Sequence, residues 1–442
     1  MKSHSTRRRF LGGAVNAAVG IGLAAKVLGA EGKAPPSDTI AMASIGIGPM
    51  GGGLQGAFLG QKDTRFVAIC DVHEPKIKAA MARCARKGQK VQAYGDYRKL
   101  LERKDIDAVV VAPPPHWHAL IGLAVLQSGR DMYIEKPMTM YVEESKAIVK
   151  AAAAGKRITQ VGTQIHATPN YRRVVEIVRS GVLGKISTVR TFWNMNTGTK
   201  GIGKSPESPP PKGLDWEMFV GPAQMVPFRP NMLRGAFHHC SFMGFSGGWM
   251  PGMAPHIVDL PVWALGLGLP TQASCSGGRY VTDDDGDSPD VQEALFQYPG
   301  LTMTWMMNTA NSYGWDFQGK GGKTRRLGIY FHGENATLYC DYGMHKIVPE
   351  AGVAAKLEVP AEPKLPPSVG HHRELLDSIK SRQPTSCNVA YHHKVNVPLC
   401  LANAALKLGR SIQFDPKTEA VVGDAEAARA CVPVYRAPWK LG

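Results

Sequence analysis

Ser44-Ile45-Gly46-Ile47-Gly48-Pro49-Met50-Gly51 is the stretch on which the fold turns. The apolar run 40–47 reads as a strand entering the glycines, and 51–59 reads as the start of a helix leaving them. Glycines at Gly46, Gly48 and Gly51 let backbone N–H groups approach a pyrophosphate at the helix N-terminus, with Pro49 and Met50 in the same turn. Asp71, after a second apolar run at 65–70, stands at the spacing of an acid that accepts hydrogen bonds from ribose hydroxyls. An acid there repels a 2′-phosphate, so the cofactor expected is NAD, with NADP possible.

Working outward, strand and helix alternate. Apolar strands are expected at 108–112, 130–134 and 158–161, with helical spacing at 118–127 and 142–153. This rhythm predicts an α/β fold: a Rossmann domain over 39–162, built on a doubly wound parallel sheet. The texture then changes. After a helix at 171–180, strands are expected at 186–194, 272–281, 291–298, 301–307, 326–332 and 336–342, with few helices between the later ones. Residues 163–442 therefore read as an α+β substrate and oligomerisation domain with a large, mostly antiparallel sheet, whose far face is available to a homo-oligomer. The Gly-, Pro- and Lys-rich stretch 197–233 is expected to line or cover a site.

The first 30 residues read as an export signal of the twin-arginine type: Thr6-Arg7-Arg8-Arg9-Phe10-Leu11, then an apolar stretch to Leu28 and small residues at Gly29-Ala30. Interrupted by glycines, Asn16 and Lys26, that stretch does not make a stable membrane span in the mature form. Residues 31–38 read as a linker, and a periplasmic location is expected. The formal charge of +16 falls to +11 without the signal, and the remaining excess is scattered, which argues against nucleic-acid binding. Eight cysteines show neither metal-like spacing nor an identifiable disulfide pair, and read as buried small hydrophobes.

Three segments carry a family resemblance: Tyr133-Ile134-Glu135-Lys136-Pro137, Gln160-Val161-Gly162-Thr163-Gln164, and His256-Ile257-Val258-Asp259 followed by Trp263. Together they resemble the Gfo/Idh/MocA family of sugar and cyclitol oxidoreductases. The stretch from His371-His372-Arg373-Glu374 to Tyr435-Arg436-Ala437-Pro438-Trp439 is similar to that of its secreted bacterial members. The resemblance implies that Lys136 positions or deprotonates the substrate, and that Glu135, Gln164, Pro113 and His118 belong with the cofactor. Chemistry supports the lysine independently. It closes a strand at the end of the sheet where ligands bind, and a buried amine can take an alcohol's proton; the alternative is a surface Lys-Pro turn.

His256 and Asp259 share one face of an expected helix, as a catalytic pair or as a satisfied buried pair. The chain departs from the family where an Asp is common four residues before the histidine and Gly252 stands instead. His166 replaces a frequent arginine. His166, His238, His239 and Asp259 are all candidates to compensate, and Trp193 joins the expected substrate residues. His118 is expected either beside the nicotinamide or capping its helix. No metal is expected, since His116 and His118 lack a third ligand.

The expectation is thus an exported NAD(P)-dependent oxidoreductase acting on a sugar, glycoside or polyol, with a tightly held cofactor restored within the site. Two alternatives stand: redox-neutral cleavage of a glycoside, and an impaired sugar-binding protein that keeps NAD.

Overall fold

The computed structural model describes residues 39–235, 237–313, 326–353, 357–361 and 363–441. The expected signal and linker, 1–38, lie outside the described residues.

Six strands form a parallel sheet: β1 (Ile40–Ile45), β2 (Thr64–Cys70), β3 (Gln92–Tyr94), β4 (Ala108–Val111), β5 (Asp131–Ile134) and β6 (Thr159–Val161). Their order is β3-β2-β1-β4-β5-β6. Every residue of β1, β4 and β5 is buried, as expected of strands covered by helices on both faces. Strand order reverses at β1 and β4, and the two connections leave a crevice at their C-terminal ends.

The second sheet holds β7 (Ile186–Asn194), β8 (Gln272–Gly278), β9 (Val291–Tyr298), β10 (Leu301–Asn308), β11 (Leu327–Gly333), β12 (Ala336–Cys340), β13 (His345–Pro349), β14 (Ile412–Asp415) and β15 (Ala420–Val421). In the order β13-β12-β11-β7-β10-β9-β8-β14-β15, the β7–β10 pair is parallel and the other described pairs are antiparallel. Leu301, Met303, Trp305 and Met307 alternate inward along β10, so one face of the sheet is core. Helix Val389–Leu408 packs on β8 and helix Pro255–Leu265 on β7, each in spite of an internal proline.

Most strands expected from the sequence are present, with shifted ends that have local causes. The run expected to reach Val281 stops at Gly278, because the Asp290 carboxylate accepts from Tyr280, Val281 and Thr282 N–H at 2.9, 2.8 and 2.7 Å and bends the chain. The run expected to reach Tyr342 stops at Cys340, where Asp341 accepts from Gly343 and Met344 N–H. Among the described residues no helix is long and apolar enough to cross a membrane.

Candidate functional site

Gly46 ends β1 at φ +81°, where a Cβ would overlap the backbone of Ala112 and Pro113. A Cβ on Gly51 would overlap the Gly46 carbonyl oxygen. Both positions therefore exclude any side chain, and the helix Pro49–Leu59 starts hard against the strand end. Asp71 fixes the turn from the other side: its carboxylate accepts from Ile47 N–H at 2.6 Å and His73 N–H at 2.9 Å.

These parts form one wall of a cleft of about 1320 Å³, counted out to its mouth. Gly46, Gly48, Pro49, Met50, Asp71, Pro113, His118, Glu135, Lys136 and His239 all line it. A dinucleotide fits this wall: two glycines leave the helix N-terminus open, and a carboxylate stands at the end of the second strand. Lys76, which sequence reasoning missed, lines the same end and sets a positive charge near Asp71. It lies on the helix after Asp71, and only the fold turns it back toward the glycine turn.

Lys136 follows β5 and precedes a cis peptide bond to Pro137. Its Nζ donates to the Gly252 carbonyl oxygen at 2.8 Å. The residue that stands where the family resemblance expects an acid thus contributes its backbone to the lysine. A Cβ on Gly252 would lie 2.8 Å from Cys240 Sγ, so the thiol occupies the space a side chain there would need. Glu135 is buried, touched by Tyr133 OH at 3.3 Å and Lys136 N–H at 3.2 Å. Burial pushes its carboxyl up to about 7 against the pull of the neighbouring lysine.

Of its two expected places, His118 takes the cleft side and does not cap its helix. Its ring nitrogens sit 2.6 Å from Pro137 O and 2.9 Å from Pro113 O, so it staples together the two turns that border the cleft. Burial lowers it to about 4, and the ring is neutral near neutral pH. His116 faces the carbonyls of Phe245 and Phe219, at 3.2 and 2.9 Å, rather than sharing a ligand with His118.

The expected His256–Asp259 pair is not formed. Both lie on helix Pro255–Leu265, but His256 Nδ1 faces Thr163 O at 3.3 Å, while Asp259 is fully buried and meets His166 Nε2 at 3.1 Å and the Tyr391 hydroxyl. Burial and the Lys136 charge depress His256 to about 3, so it does not titrate near neutrality as the sequence suggested. His166, stacked on Trp263 at 4.1 Å, is buried away from the cofactor cleft. Gln164 is exposed at φ +61° and does not line the cleft. Trp193 packs against Trp249 at 5.6 Å. Trp249 and His238 line an adjoining cavity that shares Gly235 and Phe237 with the cleft. Of the four expected substrate residues, the cleft itself receives His239.

The cleft wall at Trp117 is braced from far away in the chain. Trp439 meets Trp117 edge-on at 4.8 Å, Arg98 lies over the Trp439 ring at 5.3 Å, and Arg436 donates to Gly221 O at 3.1 Å. Gly221 itself lies so close to the Trp117 ring that no side chain fits there. The aromatic-basic ending at Tyr435–Trp439 carried this signal in the sequence, without its partner.

The fold is shared with known proteins. Solved structures similar in fold include a levoglucosan dehydrogenase in complex with NADH and levoglucosan (TM-score 0.60, 16% identity, 87% of this chain and 100% of that one). Another is the WlbA dehydrogenase from Bordetella pertussis in complex with NADH and UDP-GlcNAcA (TM-score 0.63, 16% identity, 86% and 98%). Among curated proteins, a glycosyl hydrolase family 109 protein of Shewanella sp. (strain W3-18-1) is 33% identical over 162 residues, 35% of this chain and 34% of that protein. The chain thus spans about a third of the length of the curated relatives it matches. Residues 40–163 match the oxidoreductase family's NAD-binding Rossmann fold and residues 168–441 its C-terminal alpha/beta domain, and the chain belongs to the Gfo/Idh/MocA family.

Proposed function

We propose that this chain is an exported oxidoreductase acting on a secondary alcohol of a sugar, glycoside or polyol, with Lys136 as its acid–base group. The observation that carries the reading is Lys136 itself, held at 2.8 Å by the Gly252 carbonyl in the cleft that the glycine turn and Asp71 border. Bound there, the nicotinamide supplies the hydride acceptor and donor. Gly46, Gly48 and the N-terminus of helix Pro49–Leu59 would hold its pyrophosphate and Asp71 its ribose, while Glu135 and His118 shape the edge of the site.

The chain's own part is proton handling. Lys136 Nζ, when neutral, accepts the proton of the substrate hydroxyl, and as an ammonium it returns that proton when a carbonyl is reduced. The Gly252 carbonyl fixes its direction, and pre-set direction counts for more than flexibility in proton transfer. His239 in the same cleft is the residue best placed to bond a substrate hydroxyl in place of the missing acid. His256, neutral, orients Thr163 and adds no charge. Export by the twin-arginine route would fit a cofactor inserted before transit and retained.

Mass spectrometry of nucleotide released from the purified, denatured protein tests the retained cofactor, with about one NAD(H) per chain expected. Lys136→Ala should then keep the nucleotide and lose more than about a hundredfold in turnover. Unchanged turnover would sink the role of the lysine. The similarity to glycosyl hydrolase family 109 proteins favours a second reading, redox-neutral glycoside cleavage. Release of an aglycone without net change in bound NAD(H) distinguishes it. A protein that binds sugar and never turns over would support the third, non-catalytic reading.

A further inference from the structure

At Thr163, whose carbonyl faces His256, distant parts of the chain bring buried donors together. Thr163 Oγ1 lies 3.0 Å from Cys387 Sγ, which lies 4.0 Å from Asp259 Oδ2. The other oxygen of Asp259 is 3.1 Å from His166 Nε2. One donor atom from each of His166, Asp259 and Cys387 falls within 4.8 Å of the others, and all three residues are buried.

The surroundings are short of hydrogen-bond partners. Nδ1 of His166 and both ring nitrogens of His371 and His392 have none among the described residues. His392 is fully buried and follows Tyr391, whose hydroxyl bonds Asp259. Leaving such groups dry costs about 1–3 kcal/mol each, so the cluster lies in a polar part of the interior that protein hydrogen bonds alone do not satisfy.

We propose that His166, Asp259 and Cys387 bind a divalent cation of the zinc type, with a water in the fourth position. An imidazole nitrogen, a carboxylate oxygen and a thiolate form the donor mix that zinc takes. Donors that share a zinc at about 2.0–2.3 Å stand about 3.3–3.6 Å apart, so atoms now spread over as much as 4.8 Å close by up to about 1 Å on binding. Binding uses the lone pair of His166 Nε2, with the ring proton on Nδ1, and releases the Cys387 thiol proton to solvent. Stacking on Trp263 at 4.1 Å fixes the plane of the His166 ring, and the Tyr391 hydroxyl orients the carboxylate. With its donors buried, the site is structural: it ties the turn Ile165–Ala167, helix Pro255–Leu265 and the residues leading into helix Val389–Leu408 to one point.

The test is a cobalt titration of the full-length chain stripped of metal. About one equivalent should bind, with a near-ultraviolet thiolate-to-cobalt absorption that zinc then removes. Cys387→Ser should abolish that absorption, His166→Ala should weaken cobalt more than about tenfold, and His345→Ala should leave both unchanged. A wild-type chain that binds no cobalt, or a Cys387→Ser chain with the same absorption and affinity, overturns the proposal. The wild-type titration decides even where a variant fails to fold, and it does not depend on enzymatic activity.

Discussion

Two buried carboxyls, Glu135 and Asp259, are treated by the protein in opposite ways. Glu135 packs so tightly on Gly162 that no Cβ fits there, and it has a tyrosine hydroxyl and one backbone N–H for company. Burial wins, and its carboxyl rises to about 7. Asp259 is more deeply buried, and burial again pushes upward, but His166 and the Tyr391 hydroxyl hold it below the ordinary carboxylate range. Depth alone therefore does not decide charge in a protein interior; the donors at hand do. Glu135 is left able to exchange a proton near neutrality at the edge of the cofactor cleft. Asp259 is a fixed anion.

The comparison breaks first at Asp259. Asp259→Ala strips the charge from a buried pair and should cost about 3–5 kcal/mol in urea unfolding. A loss below about 1 kcal/mol would mean that the carboxylate is not the centre of its cluster. Gly252→Ala sharpens the other side. Its new methyl meets Cys240 Sγ at 2.8 Å and must displace the carbonyl that holds Lys136, so stability should fall by about 1–3 kcal/mol. Turnover should fall with it, and Cys240→Ala in the same chain should restore part of both.

The smallest effect is a pH dependence. Glu135 is raised, so its contribution is complete at low pH and is lost as pH rises from its ordinary value near 4.5 through about 7. His118 and His256 are lowered to about 4 and about 3, so theirs is complete above about 6.5 and is lost as pH falls toward those values. The two windows overlap, and with two histidines against one carboxyl thermal midpoints should rise from about pH 4 to a maximum near pH 6.5–7. Glu135→Gln copies the protonated carboxyl: it should shift stability by under about 1 kcal/mol at pH 5 and flatten the decline toward pH 8. An unaltered decline would place the titrating group elsewhere.

The parallel sheet and cofactor wall were legible because their signals are local. Gly46, Gly51 and Asp71 act through spacings that a helix and two strands impose, and fully buried strands read as unbroken apolar runs. Strands β3, β13, β14 and β15 were not legible, because they are short and only partly buried, so no unbroken apolar run marks them. The pairing of His256 with Asp259 was misread for a different reason. Neighbours on a helix face share a direction but not a partner, and Thr163 claims one while His166 and Tyr391 claim the other. Cys387 read as a small hydrophobe, and burial agrees, yet its sulfur lies against Thr163 and Asp259. Nothing near it in sequence announced them.

The brace of Trp439 on Trp117 carries a consequence for the order of events in the cell. Synthesis runs from one end of the chain to the other, and Trp439 leaves the ribosome long after the glycine turn and Asp71 have done so. The first domain can therefore gather its strands early while one wall of its cleft still lacks support. Firm support for that wall of the cleft waits until the segment around Trp439 has docked on Trp117.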